Sequence, residues 1–583
     1  MARRTLRTYP TRSAIGAFLR LPVTGIDLLV LAGVMVLLFL LLRVGAGLTA
    51  SFSPTGVTSI STNPANLPYD AGRSLLRMFA ALAFSTGFTL TYGYACARSR
   101  RGEKVLVPLL DVLQSVPILG FLSITVTGFI ALFPGSILGL ELAAIFAIFT
   151  SQAWNMAFGY YHSVKTLPRE LDELSRMLRL TRWQRYWRVE TPRAGIDLVW
   201  NGMMSFGGGW FFLSAAEAIS VLNRNYALPG VGSYAAAAID RGQLGRVGLA
   251  ILTMAILVVG VNVLFWRPLT AWSERFRMED TEAAEPQRSF VLGLLRRSRW
   301  PRALGRARRA VAEPLGRAMR VLGRDGTRFP RRERDRSAGD VVFVALVVAA
   351  IAAGLWRLLT YVARGSGLGE FAGAFGLGLV TMSRVAALLV VATLVWVPIG
   401  VWIGLNPRIT RYAQPVVQVL ASFPANFLFP FATVLFIHFG ISLNLGGILL
   451  MALGAQWYIL FNVIAGAMAI PTDLREAMES LGVRGWQRWR RLVLPGIFPA
   501  YVTGGITASG GAWNASIVAE VVTYSGTTLS ATGLGAYIAH ATERGNFSQI
   551  LVGVAVMSAF VVGLNRLVWR RLFRLAETRY SLG

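Results

Sequence analysis

A single cysteine, Cys96, stands in a chain of 583 residues, accompanied by only three histidines. One cysteine excludes an intramolecular disulfide, and no CxxC pair or histidine cluster offers a ligand set, so no metal site is expected. Charge is sparse as well: 15% of residues are charged, against about 25% in an ordinary soluble domain. Acidic residues are the scarcer sign, 29 against 58 lysines and arginines, which leaves a formal net charge of +29. No GxxxxGK(S/T) phosphate loop occurs, so the chain carries no cradle of that kind for ATP, and no catalytic residues are expected. The basic start, MARRTLRTYPTRSAIGAFLRLP, is followed by no convincing small-residue cleavage site, so the apolar run after it is expected to persist as a span.

What is present is apolar surface. Hydrophobic residues make up 54% of the chain, and windows of roughly 20 apolar residues recur, long enough to cross a hydrocarbon core as helices. The expected fold is an all-α polytopic membrane protein of about twelve transmembrane helices in two homologous six-helix halves. The first six spans are placed near 26–42, 73–97, 105–131, 137–161, 194–222 and 247–266. The second six fall near 341–363, 376–404, 413–438, 442–470, 496–522 and 549–569. With both termini inside, the arginine-bearing stretches all become cytoplasmic, namely 98–104, 162–193, 267–340, 406–411, 471–495 and the RRLFR tail. That distribution explains the net charge by helix ends and loops, and nucleic acid is not expected as a partner. The resulting division is a cytoplasmic arm 1–25, a first six-span unit 26–266, a basic cytoplasmic linker 267–340, a second unit 341–572 and a tail 573–583.

The two units look like copies. An offset of 303 aligns Trp154 with Trp457, Glu173 with Glu476, the WQR triplets at 183–185 and 486–488, Pro192 with Pro495, Trp210 with Trp513 and Glu217 with Glu520. An offset of 307 aligns Arg77 with Arg384 and Pro117 with Pro424. Six spans per copy give both copies the same topology, so the repeat axis runs along the membrane normal and a pathway is expected between the halves.

Between two apolar runs lies LREAMESLGVRGWQRWRRLVLP, Leu474 to Pro495. It reads E-A-M, three residues, Gly482, nine residues, Leu492, one residue, then Leu494-Pro495. Thr472 or Asp473 is expected to cap a short helix, and Gly482 to end it in the left-handed conformation. A second helix from about Arg484 to Leu494 is expected to turn away, with Trp486, Trp489 and Leu492 forming one apolar stripe toward the membrane or the protein body. The earlier copy, LDELSRMLRLTRWQRYWRVETP, keeps Glu173 but has Arg179 at the glycine position and Thr191 before Pro192. Arg179 is expected to disfavour the left-handed turn, so this copy is expected to dock differently.

The spacing resembles the EAA loop of ABC importer permeases, and the wider pattern is similar to the nitrate/taurine/sulfonate type in a form with two fused permease units. The resemblance covers about residues 70–270 and 375–575, with an EAA-like loop at 168–192 and an EAA loop at 471–495. It implies the ABC importer permease fold and a bacterial inner-membrane location. It also implies a cytoplasmic ABC ATPase dimer that holds ATP and Mg, this chain binding no cofactor itself. An extracytoplasmic substrate-binding protein is the other implied partner, beside the lipid bilayer. The loop residues expected to couple to the ATPase are Glu173, Arg179, Trp183, Glu476, Ala477, Gly482 and Trp486. The implied cargo is a small solute, with a nitrate-, sulfonate-, taurine- or bicarbonate-like anion the leading expectation.

For the pathway, the in-span candidates are Arg77, Arg384, Trp210, Glu217, Trp513, Asn514 and Glu520. Charges at mid-bilayer are costly, and face a cavity or a partner. The arginines could draw in an anion at the outer mouth or snorkel to headgroups. For the glutamates, a structural hydrogen bond or ion pair that fixes helix packing is the favoured reading. The Gly triplet 207–209 and SGG at 509–511 are candidates for close helix approach or a gate. An ion-gradient-driven transporter with duplicated halves is the alternative, and it would rest on Glu217 and Glu520.

Overall fold

Pro424 has φ −71° and ψ 106°, and Phe423 before it is also extended. A proline ring denies its neighbour the helical conformation and removes a backbone donor, and these two residues break a helix. In the computed structural model Pro407–Ser422 and Ala425–Phe439 meet at a bend of 84°. The equivalent Pro117 separates Gly102–Leu113 from Ile118–Leu132 with a bend of 99°. The straight spans expected at 413–438 and 105–131 are therefore each a broken pair. The structure describes residues 60–221, 224–273, 290–298 and 338–580, together with positions 25, 27, 28, 31, 32, 35 and 275.

Among the described residues eight helices are long and apolar enough to cross a membrane, or up to ten if each bent pair is one span. Most of the expected first span at 26–42 and most of the 267–340 linker lie outside the described residues, as do the 1–25 arm (bar position 25) and the end of the tail. The expected span at 194–222 is the helix Gly195–Glu217, which is not among the eight. The expected second span begins earlier, at Pro64, because Asn63 caps the chain by accepting from the Ala65 N–H at 3.1 Å.

Among the described residues the fold is all-helical as expected, apart from two short hairpins. Each fifth-span helix runs into a two-stranded antiparallel hairpin, Ala218–Val221 with Arg224–Ala227 and Val521–Tyr524 with Thr527–Ser530. In the second, Ser525 and Gly526 both have positive φ, 49° and 78°, the two-residue turn whose twist matches paired strands.

The described chain forms two compact units. The smaller comprises Met1–Arg43, Ser163–Val199 and Asn262–Asp335, and contains the first polar loop. The larger comprises Val44–His162, Trp200–Val261 and Arg336–Gly583. Its core is apolar and continuous, running from Leu119, Leu122 and Val126 through Val385 and Leu388 to Leu450, Ile459, Trp513 and Met557. Small residues permit this density: a Cβ at Gly504 would stand 2.9 Å from the Tyr458 carbonyl oxygen, so Leu443–Met468 and Leu494–Ala519 approach backbone to backbone.

Candidate functional site

The in-span charges meet one another. Arg77, 1% exposed, donates through Nε and Nη2 to Glu141 at 2.7 Å each and through Nη1 to Glu217 at 2.7 Å. Arg73 donates to Glu141 as well. Ser74 Oγ donates to Glu217 at 2.6 Å and accepts from the Val231 N–H at 3.0 Å. The other Glu217 oxygen accepts from the Gly232 N–H at 2.7 Å. Glu217 thus binds span to span and also closes the N-terminus of the helix Val231–Asp240.

The second half repeats this with different chemistry. Arg384 Nη1 donates to Glu520 at 2.8 Å, while its Nε and Nη2 donate to the backbone and side-chain oxygens of Asn444 at 3.1 and 2.7 Å. Thr381 Oγ1 donates to Glu520 at 2.8 Å and accepts from the Leu534 N–H at 2.9 Å, in place of Ser74. Ala536 N–H donates to Glu520 at 3.0 Å. Asn444 stands where the first half has Glu141, so one clamp holds two arginines and two glutamates and the other a single ion pair.

These clamps are tightly walled. A Cβ on Gly535 would fall on the Ser516 carbonyl oxygen, and one on Gly533 on the Glu520 carboxylate. Gly535→Ala is expected to lower stability by about 1–3 kcal/mol, the usual range for overpacking, read as a lower melting temperature of the purified protein. The half-buried Gly510, whose Cβ would meet nothing within 4 Å, supplies the control in Gly510→Ala.

The seven pathway candidates are thus placed inside the packing. Arg77, Arg384, Glu217 and Glu520 are 0–6% exposed, and each arginine is paired with a glutamate. Trp210 meets Phe206 edge-on at 5.6 Å, and Trp513 stacks on Phe560 at 5.8 Å, both buried. Asn514 joins the halves: its Oδ1 accepts from the Ile118 N–H at 2.9 Å, the donor freed by the break at Pro117. Across the same seam Ser214 and Asn426 share hydrogen bonds of 2.9 and 3.0 Å. Glu141, Asn444, Ser74 and Thr381 were not singled out from sequence. Glu141 carried a signal, an acid inside the apolar run LGLELAAIF.

The polar loops share one backbone turn. After Thr472–Ser480, Gly482 has φ 69°, Gly482 N–H donates to the Glu479 carbonyl at 3.0 Å and Val483 N–H to that of Met478 at 2.9 Å. After Arg169–Met177, Arg179 has φ 47°, with bonds from Arg179 N–H to the Arg176 carbonyl at 2.9 Å and Leu180 N–H to that of Ser175 at 3.0 Å. Both are Schellman turns. Arginine therefore adopts the left-handed conformation that sequence reasoning disfavoured there, at a local cost of about 1 kcal/mol. Two features support the strained copy. Thr181 and Gln184 form a reciprocal capping box, which Arg484 does not provide in the other copy. Arg185 bridges Asp172 at 2.5 Å and Glu190 at 2.6 Å, where the second copy has Arg488 on Glu479 at 3.3 Å.

Three further expectations change. Pro471 is the cap residue, so Thr472 and Asp473 lie already in the first turn, and no side chain caps it. Gly485–Arg488 does not turn away but passes through a π-helical turn, Trp489–Val493, into Leu494–Ala519 as one helix. The widened turn accommodates Pro495, which cannot donate to the preceding turn. The apolar stripe does not hold either. Each three-residue step falls about 60° short of a full turn, and Trp486 is 71% exposed while Leu492 is buried. All seven coupling candidates, Glu173, Arg179, Trp183, Glu476, Ala477, Gly482 and Trp486, are exposed.

The profile of the family described as "Binding-protein-dependent transport system inner membrane component" matches this chain twice, over residues 87–273 and 396–581, together more than half of it. A putative ABC transporter permease of Methanocaldococcus jannaschii is 27% identical over 216 residues, 36% of this chain and 76% of that protein. The bicarbonate transport system permease of Synechococcus elongatus is 28% identical over 196 residues, 34% of this chain and 67% of its own. The taurine transport system permease of Escherichia coli is 27% identical over 195 residues, 33% and 67%.

Proposed function

Since this chain belongs to the family of binding-protein-dependent transport system inner membrane components, and is therefore a multi-pass permease subunit of an ABC importer with two fused units, we propose how it is driven and what it carries. The two exposed Schellman-turn loops are the handles for a cytoplasmic ABC ATPase dimer, which binds ATP and Mg and hydrolyses the nucleotide. A substrate-binding protein delivers solute to the opposite face of a bacterial inner membrane, and both termini, the 1–25 arm and the 267–340 linker are cytoplasmic. The cargo is a small oxyanion or sulfonate. The names of relatives that carry bicarbonate, taurine and nitrate support this class.

The observation that carries the coupling reading is the identical turn at Arg179 and Gly482, made from different residues and placed at the same offset as the rest of the repeat. Conserved backbone geometry with exposed side chains suits two docking elements for a two-fold partner. The gradient-driven alternative is less well supported, because Glu217 and Glu520 are each saturated by a guanidinium, a hydroxyl and a backbone amide.

The test is uptake into proteoliposomes holding the full chain with its ATPase and binding protein. ATP-dependent accumulation of nitrate, bicarbonate or taurine that survives dissipation of ion gradients is expected. Uptake that ignores ATP and collapses with the gradient would overturn the reading.

A further inference from the structure

The halves meet near the middle of the long helices at three glycines and one tyrosine. A Cβ at Gly207 would stand 2.6 Å from Ser422 Oγ, one at Gly208 3.4 Å from the Tyr458 hydroxyl, and one at Gly511 3.6 Å from the Tyr458 ring. Gly208 belongs to the fifth-span helix of the first half and Gly511 to that of the second, so the Tyr458 side chain lies between the two. Beside it is a cavity of about 30 Å³ lined by Met203, Met204, Gln418, Ser422 and Phe461. That volume suits about one water molecule and is too small for a multi-atom solute. The Tyr458 hydroxyl makes no hydrogen bond to any described residue, and none of these lining residues is charged.

The feature is one-sided. Asn155 holds the equivalent position in the first half, and its side-chain amide donates to Ser205 within that half at 3.0 Å. A single ring therefore lies between the two fifth-span helices at this depth.

We propose that Tyr458 is the gate of the central pathway, and that its hydroxyl, with Ser422 and Gln418, forms a neutral hydrogen-bonding site that passes the oxygen atoms of a small oxyanion or sulfonate. The solute half of this proposal rests on the permease reading above. The ring must swing off Gly208 and Gly511 for passage, and the side-chain-free backbones at both positions leave it room. Neutral donors suit a transit site, because they replace hydration without holding an anion as a fixed cation would.

The test uses the full chain in proteoliposomes, in two arms. In the first, without ATP, Tyr458→Ala is expected to release entrapped nitrate at least about tenfold faster than the unaltered chain, while Tyr458→Phe, which keeps the ring, and Asn155→Ala stay tight. In the second, with ATPase and binding protein, Tyr458→Phe is expected to raise KM about fivefold with kcat little changed, the effect of one neutral hydrogen bond. Vesicles of Tyr458→Ala as tight as the parent overturn the gate, and an unchanged KM in Tyr458→Phe overturns the solute contact. A parent complex that shows no ATP-driven uptake overturns the permease reading instead, and the leak arm still decides the gate. Should Tyr458→Ala fail to fold, Tyr458→Ser enters the leak arm and is judged by the same criterion.

Discussion

Replacing Glu520 with alanine is expected to destabilise the protein by about 3–5 kcal/mol, the range for removing one partner of a buried ion pair. Arg384 is 6% exposed, and among the described residues Glu520 is its only anionic contact, the remaining two being neutral oxygens of Asn444. The substitution strands that guanidinium, and it also leaves the Thr381 hydroxyl and the Ala536 N–H without their acceptor. Glu217→Ala is expected to cost less, because Arg77 keeps two bonds to Glu141. The check is thermal unfolding of the detergent-purified chain, followed by the yield of monodisperse protein. The double replacement Arg384→Met with Glu520→Gln discriminates charge from shape: it leaves no uncompensated charge and is expected to recover most of the loss. A double variant as damaged as Glu520→Ala would show that the pair is not what secures the two spans.

Trp486→Ala is expected to weaken association with the ATPase about 30-fold, the effect of losing a hot-spot side chain worth about 2 kcal/mol. Trp486 is 71% exposed at the start of a helix that continues into a span, and Leu481, five residues earlier, is 77% exposed. A large apolar side chain on a backbone already helical leaves only its own rotamers to be ordered on docking. Glu476→Lys, which reverses an exposed charge on the preceding helix, is expected to act mainly on the association rate. Gly482→Arg is expected to do much less than its place in the motif suggests, about 1 kcal/mol of local strain. The first loop already carries an arginine in that turn, and a side chain at Gly482 would meet nothing within 4 Å. Binding of the purified ATPase to immobilised permease measures all three. Full binding by Trp486→Ala, with insertion intact, would remove this residue from the docking surface.

The loops show how far local sequence carries. A Schellman turn is made by six consecutive residues, so its place was legible from Gly482 and the spacing around it. The matching turn at Arg179 was not, because propensity opposes it. The reciprocal cap at Thr181 and Gln184 and the Asp172–Arg185 bridge accompany that turn and lie within the same short segment. The bends at Pro117 and Pro424 were half legible. Both prolines were aligned by the repeat, yet hydropathy merged the two arms into one span, since averaging over a window discards direction.

The pathway candidates mark the limit. Composition, the period of apolar runs and the offset between copies determined by themselves that this is a duplicated helical membrane protein with two polar loops, because each depends on residues near in sequence or on a comparison of the chain with itself. Which group answers each buried charge, and that Asn514 and Tyr458 belong to the seam while Arg77 and Arg384 do not, was decided only by tertiary structure. A guanidinium in a span must find an anion, but the sequence does not say whether that anion is a solute or a glutamate 140 residues away; helix packing settles it by bringing Arg77 within 2.7 Å of Glu217.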